Sequence, residues 1–503
     1  MSRINTNVAS LVGQRVLGGN NASLNNSLQR LSTGLRINRG KDDPAGLIAS
    51  ENLRSDLRGL NAAIGNAERA DQVVNIAEGG LQEISGLLTE LQGLLTTTAS
   101  TAGLSDEEKK ANQLQIDSIL QTIDRISSST SFQGFKLLNG NFDYQVSGVD
   151  SGVSNYTVNA AKLTAGGTLD VDVLVTQSAQ QGQLYMSFGG GSIDLNGSGR
   201  QFTIEVSGAL GSRELQFSSG TSLADIESAI NTYSDVTGVT ASASSSGITL
   251  LSNEFGKAQF VSVKVVDAAD VTGSGVGLYK FESDDANSVN TTINSTFAAA
   301  TNGIRDAGQN VQGTINGLVA TSTGKTLRVN SDFLDVELTL DTGSAQALAT
   351  VDAFSITGGG ADFQLAGAVD IAGKVSLGIR DVTTRKLGAA SGAGFLSDLG
   401  SGRSNNVVDG DMTSAQKIVD SAIEQISGMR GRLGAFQRNV VGATIRSLNI
   451  AVENTSAAES VIRDTDFATE TASLTRNQIL VSASTNILAI ANSQPQAVLQ
   501  LLG

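Results

Sequence analysis

The sequence predicts an α+β protein in which both chain ends form one long antiparallel helical coiled-coil bundle around an inserted, β-rich outer region. Apolar residues near both ends repeat at alternating spacings of three and four, which indicates helices. From about residue 141 to 400, apolar and polar residues alternate between Gly- and Ser-rich turns, which indicates strands. With only 2 Pro in 503 residues, long unbroken helices are possible.

The N-terminal zone predicts one very long helix. Asp43 is placed to cap it, and Pro44 fits its first turn. The pattern continues to about Thr98, a length of roughly 80 Å, with one register shift between Ala67 and Ala70. A shorter returning helix is expected after a cap at Ser105. We assign the N-terminal half of a rod seam to Leu53, Leu57, Leu60, Leu81, Ile84, Leu88 and Leu91.

The C-terminal zone mirrors the first, with strict four–three spacing expected from Ala415 to Ala443. The matching half of the rod seam consists of Ile426, Leu433, Phe436 and Val440. Because neither half can stay exposed to water, the two ends should pair with each other and present the middle as an insertion.

The extreme ends predict an assembly element. Four leucines of the first helix and a row of apolar residues seven or fourteen positions apart near the C-terminus form its expected core: Leu24, Leu28, Leu31, Leu35, Leu474, Val481, Leu488 and Leu502. No charge follows Arg476, and the apolar surface is wider than one stripe, so burial on several sides is expected. Alone in water such segments should stay largely disordered, because burial cannot offset the cost of ordering them.

Composition limits the possible functions. A net charge of -15 argues against nucleic acid as a main partner. The absence of His and Cys removes the usual zinc sites, imidazole bases and thiol nucleophiles, so we expect neither an enzyme nor a cofactor. No membrane span is expected, since no stretch of 18 unbroken apolar residues occurs. The first residues lack the apolar core of a signal peptide, which leaves cytoplasmic residence or export without a cleaved signal.

Motifs at both ends resemble those of bacterial flagellin, the filament subunit. They include INTNVASLVGQRVL, LSTGLRINRGKDDPAGLIASENLRS and AERADQVVNIAEGGLQEI near the start, and GRLGAFQRNVVGATIRSLNIAVENTSAAESVIRDTDFATETASLTRNQIL with QPQAVLQLLG near the end. The similarity covers about 140 residues at one end and about 95 at the other. The stretch FTIEVSGALGSRELQFSSGTSLADIESAINTYS is similar to the flagellin hook motif, and its helix should be capped by Thr221 or Ser222.

This resemblance implies a domain order. An inner helical core domain would comprise 1–43 and 460–503. A rod-like helical domain with a small β part would comprise 44–145 and 355–459. The variable outer region would span 146–354 and contain a hook-like module at about 200–266.

The resemblance also implies a function. The chain would polymerise with copies of itself into the extracellular flagellar filament and transmit motor torque. It would be exported by the flagellar type III apparatus and meet an export chaperone, the cap protein and hook–filament junction proteins. A junction protein or a surface adhesin is the alternative. A metallopeptidase insertion is excluded, because it needs an HExxH helix and the chain has no His.

Two smaller sites follow from the resemblance. One is a spoke between subunits that helps to set filament geometry, against the alternative of a solvated linker with a helix cap: Arg36, Arg39, Lys41, Asp42 and Asp43. The other overlays the patch that an innate immune receptor recognises in many flagellins: Glu90, Leu94 and Gln115. Detected family members carry Arg and Glu where this chain has Glu90 and Gln115, so recognition should be weak. The alternative is that these residues mainly face neighbouring subunits.

Overall fold

The structure is a computed structural model that describes residues 6–100, 104–164, 167–195, 199–271, 275–281, 294–389 and 392–502, with side chains up to residue 494. Its Cα positions divide into two compact units. The first comprises Met1–Asn75, Phe363–Val375 and Arg432–Gly503, and the second comprises Ile76–Asp362 and Ser376–Gly431. The predicted inner, rod and outer domain boundaries stay predictions.

Helices occupy both chain ends of the described residues. In chain order they are α1 (Val8–Thr33), α2 (Pro44–Thr98), α3 (Asp106–Ser129), α4 (Leu223–Thr232), α5 (Ser234–Thr237), α6 (Thr342–Gln346), α7 (Met412–Ala435), α8 (Gly442–Arg463) and α9 (Phe467–Leu502). A π-helical segment, Phe436–Val441, joins α7 to α8 without a break, and a 3-10 helix spans Leu396–Leu399. The long second helix has the bounds that the sequence predicts.

Local chemistry explains where these helices begin. Gly46 N–H donates to the Asp43 carboxylate at 2.9 Å, which caps α2 as expected. Ser105 and Glu108 form a complete capping box at the start of α3. Ser222, rather than Thr221, caps α4.

The second unit contains a helical part built on the expected seam. Leu81, Ile84, Leu88 and Leu91 of α2 are fully buried, as is Ile426 of α7. The two helices run antiparallel, since Gln92 donates to Asp420 at 2.9 Å and Arg430 to Glu78 at 2.8 Å. Gln113 and Asp117 of α3 bind backbone groups of residues 399–407, which attaches that loop to the helices.

Outside the helices the described chain is β-rich, mostly within the second unit, and its last two strands extend into the first unit. Its strands, with two short hairpins included, are β1 (Ser131–Phe132), β2 (Phe135–Lys136), β3 (Tyr144–Ser147), β4 (Val153–Ala161), β5 (Leu169–Gln177), β6 (Gln183–Ser187), β7 (Gln201–Gly208), β8 (Ser212–Ser218), β9 (Val239–Ala243), β10 (Gly247–Ser252), β11 (Phe260–Asp267), β12 (Gly277–Lys280), β13 (Ile304–Ala307), β14 (Gln312–Ile315), β15 (Leu318–Val319), β16 (Thr321–Thr323), β17 (Thr326–Asn330), β18 (Leu334–Leu340), β19 (Thr350–Gly359), β20 (Ala361–Gln364) and β21 (Lys374–Leu377).

These strands build two hydrophobic cores. One core lies between the antiparallel sheets β15-β14-β5-β19-β3 and β16-β17-β18-β4. The other lies between the sheets β12-β6-β10-β9 and β13-β11-β7-β8 and is covered by α4. The strands between residues 183 and 307 form this second module inside the strand order of the first, and the predicted hook-like module at about 200–266 stays a prediction. Helical ends around a β-rich middle confirm the predicted α+β fold class.

Candidate assembly surface

The two extreme helices form an antiparallel pair that packs through small side chains. Ser10, Gly13 and Ser27 of α1 are buried, and so are Ser484 and Ala491 of α9. A Cβ at Gly13 would lie 3.1 Å from the Leu488 Cδ1 atom, so the backbones approach closely there. Small residues permit this distance because nothing larger separates the two helices.

Asparagine side chains bridge the pair along its length. Asn7 donates to the Ala491 carbonyl at 2.7 Å, Asn20 donates to the Ser484 hydroxyl at 2.7 Å, and Asn477 donates to the Ser27 hydroxyl at 3.2 Å. Near the other end, Arg30 lies 3.5 Å from Glu470. These polar contacts fix the register of the two helices.

Both helices have defined starts. The Asn7 side chain accepts from Ser10 N–H and caps α1, and Gly34 ends that helix in the left-handed conformation. Asp466 accepts from the backbone N–H groups of Ala468 and Thr469 and from the Thr469 hydroxyl. These bonds, that to the hydroxyl foremost, lower the pKa of Asp466 below its ordinary value.

Many of the large apolar side chains of the pair are exposed. Leu11 is 58% exposed and Ile487 is 61% exposed. Among the described side chains of α1 and α9, the exposed apolar set is Val8, Leu11, Val12, Val16, Leu28, Phe467, Ile479, Leu480, Ile487 and Ile490. The same stretches carry only Arg15, Arg30, Glu470 and Arg476 as charges. We call the exposed apolar residues named above the outer apolar face. An apolar surface of this extent marks an interaction site.

The predicted assembly residues differ in exposure. Leu28 lies on the outer apolar face. The others with described side chains are half-buried: Leu24, Leu31, Leu35, Leu474, Val481 and Leu488. The side chain of Leu502 lies outside the described residues. Sequence reasoning did not assign Val8, Leu11, Val12 and Val16 to the assembly surface. The available signal was the small size of Ser10 and Gly13, which stand beside them in the sequence and are buried in the structure.

The linkers between the helices of the first unit are tied together. Leu35 and Asp464 form an isolated antiparallel bridge, Arg36 N–H donates to the Arg463 carbonyl at 2.7 Å, and Thr465 N–H donates to the Gly34 carbonyl at 2.9 Å. The Arg36 guanidinium donates to the Ile462 carbonyl at 2.6 Å, where the last carbonyls of α8 lack helical partners. We call these contacts the linker clamp.

The remaining spoke residues have separate positions. Asp42 accepts from Arg39 N–H at 2.8 Å and from Asn38 N–H at 3.2 Å, and the bond from Arg39 is the main cause of its lowered pKa. Asp43 caps α2. The side chains of Arg39 and Lys41 are exposed. Arg36 is therefore part of the linker clamp, whereas Asp42 and Asp43 bind backbone N–H groups within a few residues of their own positions.

The rod seam continues into the first unit with one correction. Leu53, Leu57 and Leu60 are half-buried. Leu433 and Phe436 are buried. Beyond them the strict four–three spacing fails, because the π-helical segment adds one residue; Val440 is only half-buried and Val441 is fully buried instead.

The receptor-like patch lies on the helices of the second unit. Glu90 and Gln115 are exposed, and Leu94 is half-buried. Asn112 of α3 donates to the Thr98 hydroxyl of α2 at 2.9 Å, so the two helices that carry the patch are neighbours.

Two other kinds of feature are absent from the described ranges. No helix there combines the length and the apolar character needed to cross a bilayer. No group of three or more acidic side chains is placed there to hold a metal ion.

Comparison with known protein families adds to this geometry. Residues 4–143 match the profile described as bacterial flagellin N-terminal helical region, and residues 416–502 match the corresponding C-terminal helical region. Residues 201–255 match the flagellin hook IN motif.

Relatives of similar length are flagellins. The chain is 32% identical to a B-type flagellin of Pseudomonas aeruginosa, over 99% of both chains. It is 27% identical to flagellin D of Vibrio cholerae, again over 99% of both chains. Helicobacter pylori flagellin B is also 27% identical with the same coverage.

Solved structures are similar only in parts. FliC of Burkholderia pseudomallei is 14% identical with a TM-score of 0.24, covering 73% of this chain and 99% of that one. FlgL of Xanthomonas campestris is 12% identical with a TM-score of 0.25, covering 80% and 99%. The full-length similarity to the Pseudomonas flagellin decides the family, and the chain belongs to the bacterial flagellins.

Proposed function

We propose that this chain is a structural subunit that polymerises with its own copies into the extracellular helical filament of a bacterial flagellum, and that it performs no catalysis. The observation that carries the proposal is the outer apolar face of the α1/α9 pair. A heterologous contact whose rotation does not close on itself produces a helical filament. Copies packed around one axis would cover this face on several sides.

The energy balance supports assembly. Burial of apolar surface contributes about 25 cal/mol per Å², whereas ordering one backbone residue costs about 1–2 kcal/mol. The α1/α9 interface consists mostly of small side chains, which bury little apolar area per residue. The large apolar side chains contribute only when another subunit covers them, so the pair is stabilised chiefly in the polymer.

The roles of individual regions belong to the same proposal. The assembly residues would pack in the inner helical domain, and the rod seam would stiffen each subunit. The linker clamp, with the rest of the spoke, would hold the inner helices in register with the rod helices of the first unit. The β-rich modules would form the outer domain.

Partners beyond the polymer are proposed on family grounds. Export would proceed through the flagellar type III apparatus, with a chaperone that shields the apolar helices before export. The cap protein and the hook–filament junction proteins would contact the two ends of the filament. The length and charge distribution of α9, with no charge after Arg476, suit a segment that is covered by protein at each stage.

Seeded polymerisation of purified chain tests the proposal. The test variant replaces the outward residues Ile479, Leu480, Ile487 and Ile490 with Ser, which leaves the small residues facing α1 unchanged. The matched control replaces the exposed polar residues Gln478, Thr485 and Asn486 with Ser. A second variant ends after Arg476.

Sedimentation and negative-stain imaging give the result. We expect long filaments from the wild type and the control, and monomers from the apolar variant and the truncated chain. A wild-type chain that stays monomeric under all seeding conditions would contradict a filament subunit and favour a junction protein. Filaments from the apolar variant equal to those of the wild type would contradict the role of the outer apolar face.

A further inference from the structure

The π-helical segment separates two different apolar seams on one continuous helix. From Ala415 to Phe436 a row of buried residues alternates at spacings of four and three, with Ile418 buried beside it. Beyond the segment, the residues facing inward repeat at the same spacings, but one residue out of phase. This inner seam consists of Val441, Ile445, Leu448, Val452, Thr455, Glu459 and Ile462.

A second seam continues the upstream phase without interruption. Counting four and three onward from Phe436 gives Val440, Ala443, Ser447, Ile450, Asn454, Ala457 and Val461. Two of its large members are exposed in this structure: Ile450 is 59% exposed and Val461 is 78% exposed, against 8% for Leu448 of the inner seam. The sequence of α8 is therefore compatible with packing in either phase.

We propose that α8 has two packing registers against α2 that differ by one residue, and that the π-helical segment exchanges between them. In the observed register the extra residue is held in the segment, and the inner seam faces the core. In the other register the helix is α-helical throughout, and each residue takes the place of its successor. One residue corresponds to about 100° of rotation and 1.5 Å of rise.

Specific bonds hold the observed register at the segment. Gly442 N–H donates to the Gln437 carbonyl, five residues back, which is the π-helical bond. The Gln437 side chain donates to Asp71 at 2.8 Å and to Asn75 at 2.9 Å on the facing helix. These contacts anchor the first turn of the segment on α2, so that only the residues after it need to move.

The far end of α8 makes the observed register less favourable. The Nη1 atom of Arg463 lies 3.3 Å from the Oε1 atom of Glu51 on α2. The Nε atom of Arg463 is buried and has no hydrogen-bond partner. The Thr465 hydroxyl beside it is also buried without a partner. Unpaired buried polar atoms raise the free energy of a packed state. The more apolar inner seam, the ion pair between Arg463 and Glu51 and the linker clamp favour the observed register, while these two atoms and the π-helical distortion oppose it.

A one-residue exchange would also reach the linker clamp. Ile462 would take the place of Arg463 opposite Glu51, and the carbonyls bound by Arg36 would shift with it. Because the clamp connects α8 to the start of α9, a change in the register of α8 would shift the start of α9 in the terminal helix pair. Packed helices with two discrete arrangements act as bistable elements of this kind.

Paired cysteines test the two registers, since the chain has no native Cys. One full-length chain carries Glu51→Cys with Arg463→Cys, which reports the observed register. Another carries Glu51→Cys with Ile462→Cys, which reports the alternative. A third carries Asn66→Cys with Gln364→Cys, a neighbouring pair outside α8 that reports folding. Each is treated as monomer with a short bismaleimide cross-linker, so polymerisation plays no part in the outcome.

Each pair is then placed in two backgrounds that bias the exchange. Deletion of Asn439 removes the extra residue and fixes the inner seam in a continuous α-helix. The exchange Ser447→Leu with Leu448→Ser moves the central leucine to the second seam. We expect the deletion to reduce the Ile462 cross-link several-fold and the exchange to raise it several-fold, with the folding pair unchanged.

Equal Ile462 cross-linking in the wild type, the deletion and the exchange would overturn the proposal; the second seam would then be only a surface. If the deletion abolishes the cross-link of the folding pair, the exchange variant alone decides. In that case, the proposal of two registers is overturned if the exchange does not raise the Ile462 cross-link. Failure of the chain to polymerise would contradict the proposed function and leave this result unaffected.

Discussion

Glycine and small residues decide how closely the terminal helices approach. Gly13 is buried against Leu488, whereas Gly18 on the same helix has open space around it. The two positions therefore separate the effect of helix contact from the effect of removing a helical glycine. A position where an added Cβ would meet the facing helix is informative about packing in a way that a leucine pattern is not.

Substitution of Gly13 by Val should weaken the α1/α9 pair. Overpacking at a close helix contact costs about 1–3 kcal/mol, and each 1.4 kcal/mol corresponds to roughly a tenfold change in an equilibrium constant. The critical concentration for polymerisation should rise about tenfold or more, measured by sedimentation. Gly18→Val is the control, and equal effects of both substitutions would contradict the close contact.

The carboxylate cap of α9 predicts a pH dependence. The bonds to Thr469 and Ala468 lower the pKa of Asp466 in the folded state, so its stabilising effect is complete above the unfolded-state pKa. That effect is lost as pH falls through the lower, folded-state value. Asp466→Asn removes the charge at every pH. The wild type should exceed this variant in thermal stability at pH 7, and the difference should shrink toward pH 2; a constant difference would contradict the assignment.

At the scale of elements, the linker clamp joins the last turn of one helix to the first linker of the chain. Arg36 donates to the Ile462 carbonyl and lies near the negative end of the α8 dipole. The bridge between Leu35 and Asp464 adds backbone bonds at the same place. The clamp therefore depends on contacts more than 400 positions apart in sequence.

Arg36→Ala should destabilise the first unit by about 0.3–1 kcal/mol, the usual value of a cation at a helix C-terminus. Urea unfolding of the full chain, followed by a probe in α8, measures the effect. Arg39→Ala is the control, because that side chain is exposed in the same linker. If both substitutions lower stability equally, charge in the linker matters and the clamp does not.

The helical pattern was predictable to different degrees in different elements. The bounds of α2 and the cap at Ser105 followed from local signals, since capping and apolar spacing act over a few residues. The π-helical segment did not, because Val440 and Val441 are both valine and both spacings are acceptable locally. Burial in the folded chain distinguishes them: Val441 is fully buried and Val440 is only half-buried.

At the scale of the whole molecule, the charge of the receptor-like patch predicts weak immune recognition. Glu90 and Gln115 are exposed on neighbouring helices, with Leu94 between them in sequence. A receptor surface adapted to Arg and Glu at these positions would meet one reversed charge and one missing charge. Unpaired or like charges at an interface disfavour the complex.

Glu90→Arg with Gln115→Glu should therefore raise receptor activation by purified monomer at least tenfold, measured in a reporter cell assay. Glu83→Arg, at another exposed position of the same helix, is the charge-matched control. Strong activation by the wild type would contradict the prediction, and so would an equal gain from the control.

The sequence by itself determined that two helical ends enclose a β-rich middle, and it predicts that the ends are assembly elements, because apolar periodicity and the absence of charge after Arg476 are local properties. Only the tertiary structure decided which side chains face inward. The small residues of α1 and α9 pack together and leave the large ones outside, and one extra residue shifts the seam of α8. Both outcomes depend on partners hundreds of positions away, and spacing along one segment contains no information about their shape.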